Sequence, residues 1–221
     1  KSAGEEAKDA GVAIAYDSRH CSSEFAMQAA LVLGYHGIKV YLYESLRPTP
    51  TLSFAVRYLK AYAGIMITAS HNPAAYNGYK VYGQDGGQMP PAEADQLTQF
   101  VAAVEDPLTI PVGDKTELLG SGKIEIIGER VDHAYLEAMK TVTINPELNQ
   151  EMADQVKIVF TPLHGTGYYL GLKALNQAGF DDVHIVEDQA KEDGDFPTVE
   201  SPNPESAAAF DLAEQLGRKV E

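Results

Sequence analysis

Short apolar runs alternate with segments of helical periodicity along the first third of the chain. The apolar runs predict strands at residues 11–16, 38–43 and 64–68. The segments between them, 22–35 and 51–61, have the apolar spacing of amphipathic helices. This order is a βαβαβ unit, which requires a mostly parallel sheet with right-handed crossovers.

Residues with known preferences for helix ends support these boundaries. Ser22 or Ser23 can cap the first helix, and Gly37 can end it. The Pro-Thr-Pro sequence at 48–50 breaks the chain and favours a helix start. Further along, Gly179 is suited to ending a helix in the left-handed conformation. Each signal therefore falls where the apolar pattern changes.

The pattern continues after residue 77. Residues 78–82 predict another strand, and a helix is expected from about 91 to 104. The segment 106–122 is rich in proline, glycine and charge, and we expect it to be a connection. Alternating polarity predicts a strand at 123–127, and residues 131–142 have a helical pattern.

A second α/β segment follows. Strands are predicted at 156–160 and 183–186, with a helix at 168–178 between them. The stretch 187–204 is polar and proline-rich, which predicts a loop, and 205–217 predicts a last amphipathic helix. Two strands alone leave an unpaired edge, so we expect this unit to be completed by other residues or to be marginal alone.

We expect two domains, at residues 1–147 and 148–221. The predicted fold class is α/β: a mixed, mostly parallel sheet flanked by helices, followed by a second, incomplete α/β unit. The chain has no initiating methionine and stops directly after a helical pattern, so we expect it to be a piece of a longer protein.

Composition narrows the classes of function. The formal net charge of −15 argues against nucleic acid as the main partner, because binding a phosphate backbone needs a basic surface. The apolar runs are too short for a membrane span, and the N-terminus lacks the pattern of a signal peptide. The one cysteine, Cys21, excludes an internal disulfide and is expected to be a small core residue. We expect a cytoplasmic globular protein with no membrane partner.

The segment that follows the third predicted strand has the side chains for phosphoryl chemistry. It contains Ser70, His71 and Lys80, and parallel α/β sheets place ligands at the carboxyl ends of their strands. A serine hydroxyl needs activation before it can carry a phosphoryl group, and the histidine and lysine are the nearby candidates. The alternative is an ordinary turn in which Ser70 and Asn72 cap backbone groups.

The longer sequence Thr68-Ala-Ser-His-Asn-Pro73, with Asn77-Gly-Tyr-Lys80 after it, closely resembles the phosphoserine loop of the α-D-phosphohexomutase family. Four further segments are similar to elements of that family, so the resemblance spans most of the chain. They are the Asp-Ser-Arg turn at 17–19, Thr49-Pro50, the Pro-Leu-His-Gly-Thr-Gly turn at 162–167, and residues 195–205.

The resemblance implies roles for individual residues. Ser70 would be the phosphorylated residue and Lys80 a general acid or base, while His71 would orient the serine or exchange a proton. Arg19 would hold phosphoryl oxygens, or else form only a local ion pair with Asp17. Three further residues are expected to bind substrate: Asn72, Asn77 and His164. For His164 the alternatives are a hydrogen bond across the domain interface toward the serine loop and a role that only satisfies its own turn.

The family also implies cofactors and a reaction. Mg²⁺ would bind Ser70 through its phosphate, with the remaining aspartate ligands beyond Glu221, and a sugar bisphosphate would be activator and intermediate. We expect a mutase that interconverts glucose 1-phosphate and glucose 6-phosphate, with sugar phosphates as partners and this chain inactive alone. The alternatives are a phosphopentomutase, phosphomannomutase or sugar-bisphosphate synthase, or a non-catalytic sugar-phosphate-binding module.

Overall fold

The computed structural model describes residues 4–220, which form two units. The first unit consists of residues 4–16, 21–68 and 78–131. The second unit consists of Asp17–His20, Ala69–Asn77 and residues 132–220. Two loops that lie early in the sequence therefore belong with the C-terminal half of the chain.

The first unit is built on a five-stranded sheet with the order β4-β3-β1-β2-β5. Four strands are parallel, and only β4 runs antiparallel to its neighbour β3. This confirms the predicted mixed, mostly parallel sheet. The strands are β1 (Val12–Tyr16), β2 (Val40–Tyr43), β3 (Ala63–Ile67), β4 (Tyr79–Tyr82) and β5 (Ile124–Ile127).

Five helices accompany this sheet along the chain. They are α1 (Gly4–Ala10), α2 (Ser22–Tyr35), α3 (Thr49–Tyr58), α4 (Pro91–Ala102) and α5 (Lys115–Gly120). Successive residues of β1 face opposite sides of the sheet, as strand geometry requires. Ala13 and Ala15 pack in the core that includes α3 residues, and Val12 and Ile14 pack in the core that includes α2 residues. Both faces of the sheet are therefore covered.

Helix α2 approaches the sheet closely because its buried stripe is made of small residues. Ser22, Ala26, Ala30 and Gly34 recur every four positions and are buried, which places them on one face of the helix. A Cβ atom at Gly34 would lie 2.7 Å from a methyl carbon of Leu118 in α5. Glycine at this position therefore allows the two helices to pack.

The second unit contains a parallel pair of strands, β6 (Ile158–Phe160) and β7 (Val183–Ile185). Its helices are α6 (Glu129–Met139, which starts in the first unit), α7 (Pro146–Met152), α8 (Gly167–Gln177), α9 (Glu187–Ala190) and α10 (Asp211–Val220). The strand–helix–strand order agrees with the prediction, and among the described residues the sheet has two strands.

The division between the units falls at Val131, earlier than the predicted boundary after residue 147. Helix α6 explains this difference. Val131 is fully buried in the core of the first unit, whereas the carbonyl of Leu136 accepts a hydrogen bond from Gln177 Nε2 of α8. The helix therefore contributes one end to each unit.

Several short helices were not predicted. Helix α5 lies within the segment expected to be a connection, and its start is capped by Asp114, whose carboxylate accepts from the Glu117 amide at 2.8 Å. An acidic residue three positions before Glu is a recognisable helix start. Helices α1, α7 and α9 were also missed, and α10 begins at Asp211, later than expected. Helices of four to seven residues carry too few turns for a clear apolar period.

Two expectations at the start of α2 were wrong. Cys21 is exposed and does not lie in the core. Cys21 occupies the position before the helix, with φ 62°. No side chain caps the helix at that position, so neither Ser22 nor Ser23 is the cap. Ser22 is instead the first residue of the buried stripe.

No helix within residues 4–220 is both long enough and apolar enough to cross a bilayer.

Candidate active site

The strand order places one pair of strand ends where parallel α/β sheets bind ligands. From β1 the chain passes through α2 to β2 on one side, and through α3 back to β3 on the other side. The order therefore reverses between β1 and β3, and ligands of open α/β sheets bind at the carboxyl ends of such strands. Tyr16 and Ile67, the last residues of these strands, are paired in register. The loops that follow them are Asp17–His20 and Ala69–Asn77, which we call the arginine turn and the serine loop.

Ser70 has an unusual backbone conformation in the serine loop. Its φ is 57°, in the left-handed region that residues with a Cβ rarely adopt. Such a conformation costs about 1–2 kcal/mol and persists only where surrounding contacts impose it. The residue is exposed, whereas Thr68 and Ala69 before it are buried. The loop thus presents a serine to solvent from a constrained backbone.

One side chain makes four hydrogen bonds to the backbone of this loop. Arg19 is 3% exposed. Its Nη1 donates to the carbonyl oxygens of Pro73 at 2.9 Å and Tyr76 at 3.0 Å. Its Nη2 donates to the carbonyl oxygens of Ser70 at 2.8 Å and Asn72 at 2.6 Å. A single guanidinium therefore binds four backbone carbonyls of the serine loop.

The expected phosphoryl contact of Arg19 stays a prediction, and the structure describes the contacts that its side chain makes within the chain. A guanidinium has five N–H donors, and the fifth, on Nε, lies 3.2 Å from a carboxylate oxygen of Asp17. The four N–H groups on Nη1 and Nη2 are hydrogen-bonded to the serine loop, whereas Nε is ion-paired with Asp17 and makes no hydrogen bond within the described residues. The alternative, a local ion pair with Asp17, is present. Burial lowers the pKa of Arg19, and Asp17 partly offsets this shift, but arginine remains charged at neutral pH.

A segment of the C-terminal half covers the arginine. The ring of Phe196 lies with its centroid 5.2 Å from Arg19 Cζ, within cation–π range. Phe196 is buried and has φ 49°. Next to it, Gly194 lies against the arginine turn so closely that a Cβ there would be 2.9 Å from the His20 amide nitrogen and 3.0 Å from the Ser18 carbonyl oxygen. A side chain at position 194 would push this segment away.

Polar contacts connect the same three segments. His20 Nε2 lies 2.7 Å from a carboxylate oxygen of Asp195, and this contact raises the pKa of the exposed His20. Asn77 Nδ2 donates to the His20 carbonyl at 3.1 Å, so this side chain, expected to bind substrate, holds the serine loop to the arginine turn. The hydroxyl of Ser201 donates to the carbonyl of His71.

His164 does not offer a ring nitrogen to solvent. The residue is 1% exposed. Its Nδ1 lies 2.9 Å from the Lys191 carbonyl oxygen, which can only accept, and its Nε2 lies 2.9 Å from Thr198 Oγ1. Buried Gln189 extends the network, because its Nε2 donates to the same threonine oxygen at 3.0 Å. These contacts agree with the alternative, that His164 satisfies its own region of the fold, and the expected substrate contact stays a prediction.

The remaining predicted residues are accessible. His71 and Asn72 are exposed in the serine loop, and Lys80 is half-buried in β4, paired with Met66 of β3. Their proposed roles in chemistry and substrate binding stay predictions. The structure therefore brings Arg19, Ser70 and Asn77 together in one network and assigns His164 to another.

The described residues do not fit a complete metal site. Between residues 4 and 220, no group of three or more histidine, cysteine, aspartate or glutamate side chains is arranged to hold a metal ion. Ser70 could supply at most one ligand through an attached phosphoryl group. The predicted involvement of Mg²⁺ at Ser70 therefore stays a prediction.

Sequence reasoning missed three residues around the arginine: His20, Asp195 and Phe196. Asp195 and Phe196 lie inside a segment that resembles the family, and His20 directly follows the Asp-Ser-Arg turn. Their pairing joins positions 175 residues apart in the case of His20 and Asp195. No local pattern indicates such a contact.

The chain matches two family profiles in succession. Residues 1–107 match "Phosphoglucomutase/phosphomannomutase, alpha/beta/alpha domain I", and residues 133–221 match domain II of the same family. A Staphylococcus saprophyticus phosphoglucomutase is 38% identical over 213 residues, which is 96% of this chain and 38% of that protein. A Staphylococcus epidermidis phosphoglucomutase is 40% identical over 95% of this chain and 37% of that protein. The chain thus spans well under half the length of these relatives.

Solved structures of similar proteins have the same fold. A Thermus thermophilus protein assigned as a phosphomannomutase matches with a TM-score of 0.70 and 26% identity, over 93% of this chain and 42% of that one. Parafusin, a Paramecium phosphoglucomutase solved in an open form, matches with a TM-score of 0.75 and 18% identity, over 96% of this chain and 42% of that one. Because the two profiles occur in order and together cover most of the chain, the chain belongs to the phosphoglucomutase/phosphomannomutase family.

Proposed function

We propose that this chain provides the phosphoserine part of an enzyme that interconverts glucose 1-phosphate and glucose 6-phosphate. The observation that supports this most is Ser70 itself. It is an exposed serine, held in a left-handed conformation by a buried arginine, on a loop that follows β3 at the reversal of strand order. Constrained backbone of this kind is typical of functional sites. The names of the Staphylococcus relatives favour glucose phosphates as substrates.

In the proposed reaction, phospho-Ser70 gives its phosphoryl group to a free hydroxyl of a sugar monophosphate. The bond between phosphorus and Ser70 Oγ breaks, and a bond forms between phosphorus and the sugar oxygen. The proton of the sugar hydroxyl passes to a base, for which Lys80 is the candidate, and Ser70 Oγ accepts a proton, with His71 as the candidate donor. The resulting bisphosphate reorients and returns its other phosphoryl group to Ser70.

Geometry is the main contribution that this chain can make to such a step. Phosphoryl transfer depends mostly on positioning and charge stabilisation. The arginine network fixes the backbone that follows the Cα atom of Ser70, through the carbonyls of Ser70 and Asn72. The serine oxygen is then presented in one orientation, which reduces the entropic cost of reaching the transition state.

Replacement of the serine tests the proposal. Mutase activity of the full-length protein is measured by coupling glucose 6-phosphate formation to a dehydrogenase, and phosphorylation is measured by intact mass and peptide mapping. Ser70→Ala is expected to abolish both turnover and the phosphoryl adduct, whereas Ser121→Ala, an exposed serine elsewhere, is expected to change neither. Undiminished turnover in Ser70→Ala would refute the proposal.

Related sugar phosphates are the nearest alternatives. A phosphopentomutase, a phosphomannomutase or a sugar-bisphosphate synthase would use the same serine loop, and the Thermus thermophilus neighbour is assigned as a phosphomannomutase. Comparison of kcat/KM for glucose 1-phosphate, mannose 1-phosphate and ribose 1-phosphate separates the mutases, and product analysis with a bisphosphate donor identifies a synthase.

A non-catalytic module that binds sugar phosphates is the alternative from another class. Such a module would bind glucose 6-phosphate without forming a phosphoserine. Stoichiometric phosphorylation at Ser70 in protein purified from cells supports the enzyme, and its absence together with measurable binding supports the module. We also expect no turnover from the 221-residue chain by itself, because it covers only about two-fifths of the catalytic relatives.

A further inference from the structure

We propose that Arg19 and Phe196 form a positioning pair: the arginine sets the backbone conformation of the serine loop, and the phenylalanine holds the arginine in place. The pair acts on Ser70 through the loop and does not bind the transferred phosphoryl group. The effect on catalysis rests on the proposed function, whereas the effect on the loop does not.

The guanidinium of Arg19 uses most of its N–H donors on the serine loop. Arg19 directs four N–H groups to the carbonyls of residues 70, 72, 73 and 76, at 2.6–3.0 Å. These carbonyls span seven consecutive residues of the serine loop, and no regular secondary structure pairs them. Hydrogen bonds from a charged donor are stronger than neutral ones. One side chain thus replaces the backbone pairing that a helix or strand would provide.

The guanidinium has a planar geometry that a lysine side chain cannot reproduce. Its donors lie in one plane with fixed directions, so four carbonyls can be bound at once only by arginine. A lysine has three donors on one nitrogen and leaves at least one of the four carbonyls without its donor. Lysine is nevertheless a good phosphate ligand. The two possible roles of Arg19 therefore predict different outcomes for Arg19→Lys.

The guanidinium of Arg19 is enclosed by Phe196 and Asp17. Phe196 is 4% exposed and lies over the guanidinium, and Asp17 lies beside Nε at 3.2 Å. Exclusion of water strengthens electrostatic interactions such as those between the guanidinium and the carbonyls. Phe196 has no group that could bind a phosphoryl oxygen. An effect of Phe196 on the serine loop would therefore be specific to positioning.

Phe196 is far from the serine loop in sequence. Gly194 and Phe196 come from the C-terminal half of the chain, more than a hundred residues after the loop, and Gly194 contacts the arginine turn through backbone atoms. The loop conformation is therefore coupled to the folding of the second unit, to which all three segments belong.

Hydrogen exchange on the unphosphorylated chain tests the effect on the loop directly. The amides of Asn72 and Tyr76 are hydrogen-bonded to the carbonyls of Ala69 and Pro73 within the loop, and their exchange reports its opening. We expect Arg19→Lys to accelerate exchange of both amides by about tenfold or more, since at least one charged hydrogen bond is lost. Phe196→Leu is expected to accelerate it severalfold.

Leu170→Val is the matched control. Leu170 lies in α8 and is 4% exposed, as Phe196 is, so its truncation also removes buried apolar atoms. We expect it to lower the melting temperature without changing exchange at Asn72 and Tyr76. Unchanged loop exchange in both Arg19→Lys and Phe196→Leu, with circular dichroism showing folded protein, would overturn the positioning pair.

Kinetics of the full-length protein distinguish positioning from phosphate binding. If the pair positions Ser70, Arg19→Lys and Phe196→Leu lower kcat and leave KM for the sugar phosphate within about twofold. If Arg19 binds phosphate, Arg19→Lys retains much of the activity and mainly raises KM, and Phe196→Leu has little effect. Should Ser70 never be phosphorylated, the proposed function fails, while the exchange measurements still decide the role of the pair.

Discussion

The ring of Phe196 lies over the guanidinium of Arg19, with 5.2 Å between the ring centroid and Cζ. This contact joins a residue of the C-terminal half to the side chain that binds the serine loop. The loop carries the residue proposed to be phosphorylated, so its conformation depends on segments that are distant in sequence.

Gly194→Ala is expected to destabilise the second unit. The added methyl group would meet backbone atoms of His20 and Ser18 at 2.9–3.0 Å, and backbone cannot move aside as a flexible side chain can. Overpacking of this kind costs about 1–3 kcal/mol of unfolding free energy. Chemical denaturation followed by circular dichroism measures it.

Gly120→Ala is the control for that change, because a Cβ at this position meets no atom within 4 Å and the residue lies in α5. It is expected to leave stability unchanged or to raise it by up to about 1 kcal/mol, as alanine is the better helix former. Equal stability of the two variants would show that segment 194–196 does not pack on the arginine turn as described.

His164→Ala is expected to lower the free energy of unfolding by about 2–4 kcal/mol, because it leaves buried polar groups of Lys191 and Thr198 without their partner and removes buried volume. His133, an exposed histidine of α6, provides the control, and His133→Ala is expected to change stability by less than about 0.5 kcal/mol. Urea unfolding measures both. A large rise in KM with unchanged stability in His164→Ala would instead support the earlier expectation of substrate binding.

The ion pair between His20 and Asp195 predicts that the free energy of unfolding falls as the pH rises through the pKa of His20. The hydrogen bond and charge of Asp195 raise the pKa of His20 above its ordinary value of 6.5. Because the folded pKa is raised, the pair contributes its full stabilisation below pH 6.5 and loses it as the pH rises through the folded pKa. The contribution is small, since both side chains are largely exposed.

An NMR titration of the histidine ring protons checks this direction. In Asp195→Asn the pKa of His20 is expected to fall toward its ordinary value. A His20 titration that is the same with and without Asp195 would exclude the ion pair in solution.

Removal of the charge at Lys80 is expected to lower kcat by about 10²- to 10⁴-fold, the range found for general acid–base groups. Lys80→Met should have little effect on folding, because the residue is half-buried on a strand and its methylene groups are retained. Steady-state kinetics and melting temperature are measured together. Lys219→Met, at an exposed position of α10, is the control and is expected to be neutral. A loss of activity that follows a loss of folded protein would assign Lys80 a structural role.

The sequence determined the alternation of strands and helices, because each long element buries a continuous apolar face whose period is visible locally. It also located the serine loop, since turn residues and reactive side chains are adjacent there. Short helices such as α5 and α9 escaped prediction, because six and four residues are too few to show a clear apolar period.

The surroundings of Arg19 were decided only by the tertiary structure. The Asp-Ser-Arg turn showed a cation near the end of a strand, and a phosphoryl group was a reasonable partner for it. The folded chain instead supplies four carbonyls, a carboxylate and a phenyl ring around it. Backbone carbonyls carry no sequence signature, because every residue has one. The set of carbonyls that surrounds a given side chain depends on how distant segments fold together.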